Sequence, residues 1–391
     1  MKSGWRVVRL GEVCSFEKKH DTHFELPYVG LENIESGTGR FLGARTAVSV
    51  KSATFRFSPE HVLYGRLRPY LNKILLPDFE GHCSTEIFPI KPSSEVSRRY
   101  LFYWLSMDAT VKLIDATSTG ARMPRANMNA VLDFELPIPP PQEQERIVTI
   151  LDEAFEGIAT AKANADRNLH NAQEAFVSYR DELMSGQIGW LEAPLANLCD
   201  VKHGYAFEGE FFAQEGQYVL LTPGSFYESG GYRERGSKTK YFTGPIPSDY
   251  ILDENALLVA MTEQAAGLLG SPLLVPEANR FLHNQRLGLV KAKPGVPWVN
   301  EFFFHAFNVA RVRQEIHASA SGVKVRHTSP GKIGSVRVAY PSSLEEQRLV
   351  ASRLFSLAQE CEQLADIQNR KLAALDELKK SLLHQAFTGQ L

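Results

Sequence analysis

No apolar run in this 391-residue chain approaches the roughly 20 residues that a membrane span needs. The start, MKSGWRVVRLGEV, lacks the apolar core of a secretory signal. Cysteine is scarce: Cys14, Cys83, Cys199 and Cys361 lie far apart and form no CxxC. That usage argues against a disulfide framework or a zinc site and fits reduced thiols in the cytoplasm. Charge of either sign is not in excess, with 43 Lys and Arg against 45 Asp and Glu and a net charge of −2. The chain as a whole is therefore no obvious nucleic-acid binder, and charge has to be read locally. Catalytic motifs are also missing. The sequence has no GxxxxGKS/T, GxGxxG, HExxH or GxSxG. Pro77-Asp78 with Glu86 lacks the Lys that would complete a metal-dependent nuclease site. The 11 His show no metal-ligand spacing. No catalytic residue and no metal site is assigned, and His82 and His283 are expected to play structural, hydrogen-bonding roles.

What is present is ordinary globular composition, 43% apolar and 23% charged. The length exceeds the ~250–300 residues over which one core usually grows, so at least two domains are expected. An internal repeat organises them. Gly4-Trp5, Leu10, Val13 and Cys14 match Gly189-Trp190, Leu195, Leu198 and Cys199. Lys91-Pro92 match Lys293-Pro294, and Tyr100, Phe102 and Leu105 match Phe302, Phe304 and Phe307. Ala116–Gly120 match Ala318–Gly322. Pro139, Glu143, Arg146 and Val148 match Pro341, Glu345, Arg348 and Val350, and Gly186-Gln187-Ile188 matches Gly389-Gln390-Leu391. The pattern is a shared frame carrying two different inserts.

Each repeat begins with a module of short strands and turns, for which α+β is expected. Val62–Leu67 and Leu257–Met261 read as buried strands. Tyr100–Ile114 and Phe302–Ile316 read as short apolar helices. A long helix follows in each repeat. Its apolar seam runs through Ile147, Leu151, Ala154, Ile158, Ala161, Ala165, Asn168, Ala172, Phe176, Tyr179 and Leu183 in the first. In the second it runs through Val350, Leu354, Leu357, Cys361, Leu364, Gln368, Lys371, Leu375, Leu378 and Leu382. Asn168 and Gln368-Lys371 are polar breaks of the kind that fix register. The organisation predicted is a module at 1–141, a helix at 142–188, a module at 189–343 and a helix at 344–391. The two helices are expected to pair antiparallel as a coiled coil about a pseudo-twofold axis. Each is about 65 Å long at ~1.5 Å per residue.

Charge separates helices from modules. Residues 142–184 carry −5 and residues 345–387 carry −1, which leaves +4 on everything else. Cations cluster with aromatic and amide residues in both modules. The first has Tyr64-Gly-Arg66-Leu-Arg68-Pro-Tyr70-Leu-Asn72-Lys73. The second has Tyr232-Arg233-Glu-Arg235-Gly-Ser-Lys238-Thr-Lys240-Tyr241 and His283-Asn284-Gln285-Arg286. Arg and Lys neutralise phosphate or read guanine, and Asn and Gln can read adenine. A solvated surface patch would look the same for any one cluster, and Glu234 dilutes the second.

The frame resembles that of the specificity subunits of type I restriction–modification systems. The residues that carry the likeness are Trp5, Leu10-Gly-Glu-Val13, Leu26-Pro-Tyr-Val-Gly-Leu-Glu-Asn-Ile34 and Gly120-Ala-Arg-Met-Pro-Arg-Ala-Asn-Met128. The strongest is Pro137-Ile-Pro-Pro-Pro-Gln-Glu-Gln-Glu-Arg-Ile-Val148, before a long helix that ends in Gly186-Gln187. Leu344-Glu-Glu-Gln-Arg-Leu-Val350 and the final Gly389-Gln390-Leu391 repeat the scheme, but Pro-Ser-Ser stands where a proline run is expected.

The likeness spans essentially the whole chain. It implies two target recognition domains, each reading half of a split, asymmetric DNA site, with the helices as a ruler between them. It implies no catalysis on this chain. Two modification (methyltransferase) subunits would dock on the shared frame, followed by two restriction (motor and nuclease) subunits. Those partners would hold S-adenosylmethionine, ATP and magnesium. Candidate DNA contacts are Arg66, Arg68, Asn72, Lys73, Arg122 and Arg125 in the first module. In the second they are Arg233, Arg235, Lys238, Lys240, Asn284, Gln285, Arg286, Lys324 and Arg326. A specificity chain of another restriction–modification type, or a coiled-coil scaffold whose heads bind proteins, would share much of this pattern.

Overall fold

The computed structural model describes residues 4–21, 25–264 and 266–391. The long helices are Pro141–Met184 and Leu344–Thr388. Proline at the first helical position costs no hydrogen bond, because that N–H has no partner in the helix. Both helices stop at a left-handed glycine, Gly186 at φ +109° and Gly389 at φ +74°. The first therefore ends at Met184, short of the expected residue 188. No helix among the described residues is long and apolar enough to cross a membrane.

The chain divides into two compact units, Met1–Arg167 with Gln368–Leu391, and Asn168–Ile367. Each holds one module and a stretch of both long helices. The helix stretches run antiparallel within each unit. In the first, Arg146 donates to the Leu391 carbonyl and Lys162 pairs with Asp376. In the second, the Cys361 thiol lies 3.8 Å from the Ala172 carbonyl and Arg353 sits over the Tyr179 ring.

Ile147, Leu151 and Ile158 are buried on the first helix and Leu354 on the second. Phe176, Leu183, Leu357, Leu364, Leu375 and Leu382 are half-buried seam residues. Two expectations fail in phase. Asn168 is exposed and Leu169 turns inward in its place. After the buried Gln368 the seam passes through Leu372, Leu375 and Lys379, leaving Lys371 and Leu378 outside. The steps from Leu364 to Gln368 and from Gln368 to Leu372 are both four residues, and follow the helix's natural 3.6 period rather than a strict heptad. Lys379 spans the seam and donates to the Gly37 carbonyl at 2.9 Å.

Each module is α+β. The first has a four-stranded sheet in which Ile87–Pro92 pairs with both Cys14–Phe16 and Val62–Gly65, with Ile74–Leu75 at the edge. A second four-stranded sheet joins Thr54–Phe57, Gly81–Ser84 and Tyr28–Val29, the last in parallel. The second module repeats the first sheet, with Leu287–Ala292 between Cys199–His203 and Leu257–Ala260, while its other four-stranded sheet keeps one parallel pair, Tyr218–Leu221 with Phe281–His283, in a different strand order. Each expected apolar helix is a pair, Arg98–Ser106 with Asp108–Ala116 and Asn300–Asn308 with Ala310–Ala318. Met107 and Val309 break them with extended backbone at ψ 133°. These helices and the long-helix ends cover one face of the first sheet. Tyr100, Leu105, Ile147, Leu151 and Phe387 share one core, and Phe302, Phe307, Met184, Val350 and Leu354 share the other.

Strand register corrects two repeat matches. Cys14 faces Pro92 and Cys199 faces Ala292. Lys91 is therefore the counterpart of Lys291, not of Lys293. The second module's two extra residues fall just before its helix pair. Within the long helices Gln144 corresponds to Gln347, one residue away from the match through the glutamates. Both amides are buried, and each donates to two loop carbonyls, Glu95 and Pro139 in one unit and Pro297 and Pro341 in the other. They tie the long helix to its module through groups that would otherwise lie buried without partners.

Candidate nucleic-acid interface

The first module brings together two segments far apart in sequence. After strand Val62–Gly65 the chain pairs with the loop that follows residue 119. Leu67 bridges Arg125, and the Arg68 amide donates to the Pro124 carbonyl at 2.7 Å. Arg66, Arg68, Arg122 and Arg125 thus converge. Their availability differs. Arg66 donates to one Glu86 oxygen at 3.0 Å and Arg125 to the other at 2.8 Å. Burial pushes the Glu86 carboxyl up, but the two guanidinium groups outweigh it and hold its pKa below the ordinary range. Arg66 and Arg125 are therefore spent largely on this clasp. Arg68 and Arg122 are exposed, and their guanidinium groups make no ion pair among the described residues.

Asn72 and Lys73 depart from expectation. The Lys73 ammonium donates to the Leu31 and Ile34 carbonyls at 2.6 and 2.9 Å. Asn72 adopts φ +45° and donates to the Ser106 carbonyl. Both hold loops together and are only partly exposed.

The second module has an open cleft of about 1000 Å³. Arg233, Arg235, Lys240, Arg286 and His327 converge on it from segments that are remote in sequence, with Tyr227, Val325 and the acids Glu228 and Glu263 between them. Arg233 lies against the Tyr227 ring and Lys240 against Phe212. Arg286, Gln285, Lys238 and Lys324 are exposed. Three candidates are committed inward instead. Arg235 donates to the Gly224 carbonyl at 2.5 Å. Asn284 is buried, and its side-chain oxygen accepts the Arg286 amide. Arg326 pairs with Glu263 at 3.3 Å.

Glu263 is the least expected of these residues. It is buried, and one oxygen accepts the amides of Gly267, Leu268 and Leu269 at 3.0, 2.9 and 3.1 Å. The other faces Arg326 and the His317 ring. Strand register places Glu263 where the first module has Arg68, and Arg286 where it has Glu86. Acid and free cation have exchanged places between the modules. The clasp Arg has moved as well, since Arg125 corresponds to His327 and Pro124 to Arg326.

Among the described residues no three His, Cys, Asp or Glu gather as a metal site. Asp78 pairs with Arg45. Burial raises the Cys14 and Cys199 thiols to about 12, and Cys83 is raised too. These are inert core thiols. His82 bonds Thr54 and the Val48 carbonyl, and His283 bonds the Leu287 carbonyl.

Known proteins share parts of this sequence and its fold. Residues 2–166 match the type I restriction modification DNA specificity domain. Over this stretch the chain is similar to the specificity subunits of type I restriction–modification systems. Over 191 residues, 46% of the chain, it is 26% identical to the type I restriction enzyme EcoDI specificity subunit of Escherichia coli. Over 54% of the chain it is 24% identical to the EcoBI specificity subunit of the same organism. These matches span only 43% and 41% of those two proteins. The MjaVIII specificity subunit of Methanocaldococcus jannaschii is 20% identical over 99% of the chain and 93% of its own length. In fold, a chain from a structure of a type I R-M system, solved for its complex assembly and conformational transition, superimposes with a TM-score of 0.83. Its identity is 20%, covering 100% of this chain and 99% of that one. The HsdS subunit of Thermoanaerobacter tengcongensis gives a TM-score of 0.64 at 20% identity, over 100% and 98%.

Proposed function

We propose that this chain is the non-catalytic DNA-reading subunit of a cytoplasmic type I restriction–modification complex. Each module reads one half of a split, asymmetric site on double-stranded DNA. Modification subunits dock on the shared frame and restriction subunits follow, and those partners carry S-adenosylmethionine, ATP and magnesium. One observation carries this reading above the rest. The same scaffold occurs twice, and at the same junction each copy presents a different set of free cations, Arg68 and Arg122 in one and Arg286 and Lys324 in the other. Equivalent scaffolds with non-equivalent faces are what reading two unlike half-sites requires. A scaffold that bound one protein through both heads would give no reason for the faces to differ.

The experiment is a map of methylated bases across the host genome with the gene intact and deleted. Loss of methylation at one split motif of fixed spacer is expected. Unchanged methylation would overturn the proposal for the host's active systems.

A further inference from the structure

We infer that the loops Gly120–Pro124 and Gly322–Arg326 are equivalent insertion elements, whose exposed apolar side chains, Met123 in one and Val323 with Val325 in the other, contact the bases of duplex DNA. This rests on the DNA-reading function proposed above and names residues that read by shape rather than by hydrogen bonds.

The two loops are built alike. Each is closed by a reciprocal pair of backbone hydrogen bonds, Thr119 with Arg125 at 3.1 and 3.0 Å and Ser321 with His327 at 3.0 and 2.8 Å. Each opens on a left-handed glycine, Gly120 at φ +92° and Gly322 at φ +101°. A Cβ on Gly322 would lie 2.2 Å from the Val325 carbonyl, so the turn excludes any side chain there. A carboxylate–arginine clasp braces each loop, Arg125 on the half-buried Glu86 in one and Arg326 on the buried Glu263 in the other. These are held projections rather than slack connections.

Their tips are apolar and lie in water. Met123 is 46% exposed, Val323 98% and Val325 37%. A single exposed apolar residue means nothing by itself. Here the same place in two divergent modules carries one, beside an exposed cation at the equivalent position, Arg122 or Lys324. Val325 also lines the basic cleft with Arg233, Lys240 and Arg286, and the first loop lies beside Arg68. An apolar tip ringed by cations complements a polyanion with an apolar interior. The cations meet phosphates, and the tip meets a thymine methyl or a base step opened in a groove. Met and Val differ in length and shape, so the two tips would favour different bases.

The test uses the protein purified from its own host with the subunits that accompany it, challenged with a pool of random-sequence duplexes. Bound sequences from the parent are compared with those from Met123→Ser, from the double variant Val323→Ser/Val325→Ser, and from Arg286→Ala. The Ser variants should melt with the parent, since they change exposed tips. The double variant should relax base preference about tenfold at positions in one half-site only, and Met123→Ser should do so in the other half. Parental preference in both Ser variants, with Arg286→Ala altered, overturns the insertion role and leaves DNA reading intact. So does an equal loss for all sequences, which would mark phosphate or protein contacts. A parent that selects no motif overturns DNA reading itself.

Discussion

Replacing Glu263 tests whether the clasp, and not its arginine alone, holds the wall of the second module's cation-lined cleft. The carboxylate is buried, with three amides on one oxygen and Arg326 on the other. Hydrogen bonds to a charged group contribute about 1.5–3 kcal/mol each, but these are not additive, because the loop at 267–269 can relax toward water. Glu263→Gln keeps the shape and one acceptor oxygen. It loses the charge and turns an amide N–H toward Arg326, at a cost of about 2–3 kcal/mol. Glu263→Ala strands the amides and the guanidinium together, which costs about 3–5 kcal/mol. Arg326 is one-third exposed, so Arg326→Ala should cost only about 1 kcal/mol, the scale of a solvent-screened pair. The prediction is therefore an order of damage: Glu263→Ala most, Glu263→Gln less and Arg326→Ala least. Urea unfolding reads it, followed by Trp190 and Trp298 after Trp5 and Trp104 are replaced by Phe, so that the signal comes from the second unit alone. If Arg326→Ala costs as much as Glu263→Gln, the weight lies on the ion pair and the argument from backbone amides is wrong.

Lys73→Met should lower stability without changing how DNA affinity depends on salt, whereas Lys240→Ala should reduce the salt slope by about one; titrating affinity against salt separates them. Gln144→Leu should destabilise the first unit by about 2–3 kcal/mol, because three bonds to loop backbone disappear. Thermal unfolding of that unit checks it. Acid should weaken the second unit before its carboxylates protonate. Burial lowers His283 to about 4 and His305 to about 3, each from an ordinary 6.5. The unfolded chain takes up these protons as pH falls below about 6.5 and the folded unit does not. Stability is therefore full above that pH and falls by up to about 1.4 kcal/mol per pH unit for each His. His305→Leu should flatten a plot of unfolding free energy against pH between 6.5 and 4 (an unchanged slope would refute the assignment).

The frame was legible because it is repeated and because helix periodicity and glycine stops are local signals. Buried strands such as Val62–Gly65 and Leu257–Ala260 were legible for the same reason. The failures share a cause. Lys73 and Arg235 are committed to carbonyls that only the folded chain brings near. Asn168 lost its seam position because the helix keeps its own period, so a strict heptad count drifts over this length. The Gln144 and Gln347 pair was visible as a shared letter but hidden by a one-residue misregistration of the surrounding glutamates. Glu86 and Glu263 gave no sign, because they occupy non-equivalent positions and become partners only through strand pairing.

That last failure bears on how such a chain diverges. The junction between the first sheet and the projecting loop holds one acid at least half-buried, one arginine to face it and some positive charge left over. Glu86 with Arg125 satisfies the need and leaves Arg68 free. Glu263 with Arg326 satisfies it from the opposite strand and leaves Arg286 free. The loop is braced in both cases, while the free cation moves from the end of one strand to the start of another. A module can thus shift the charge it presents without losing the brace that positions its loop. The constraint is on the sum of charges at the junction and not on any one residue. Two copies can therefore share a scaffold and still present different charge at this junction.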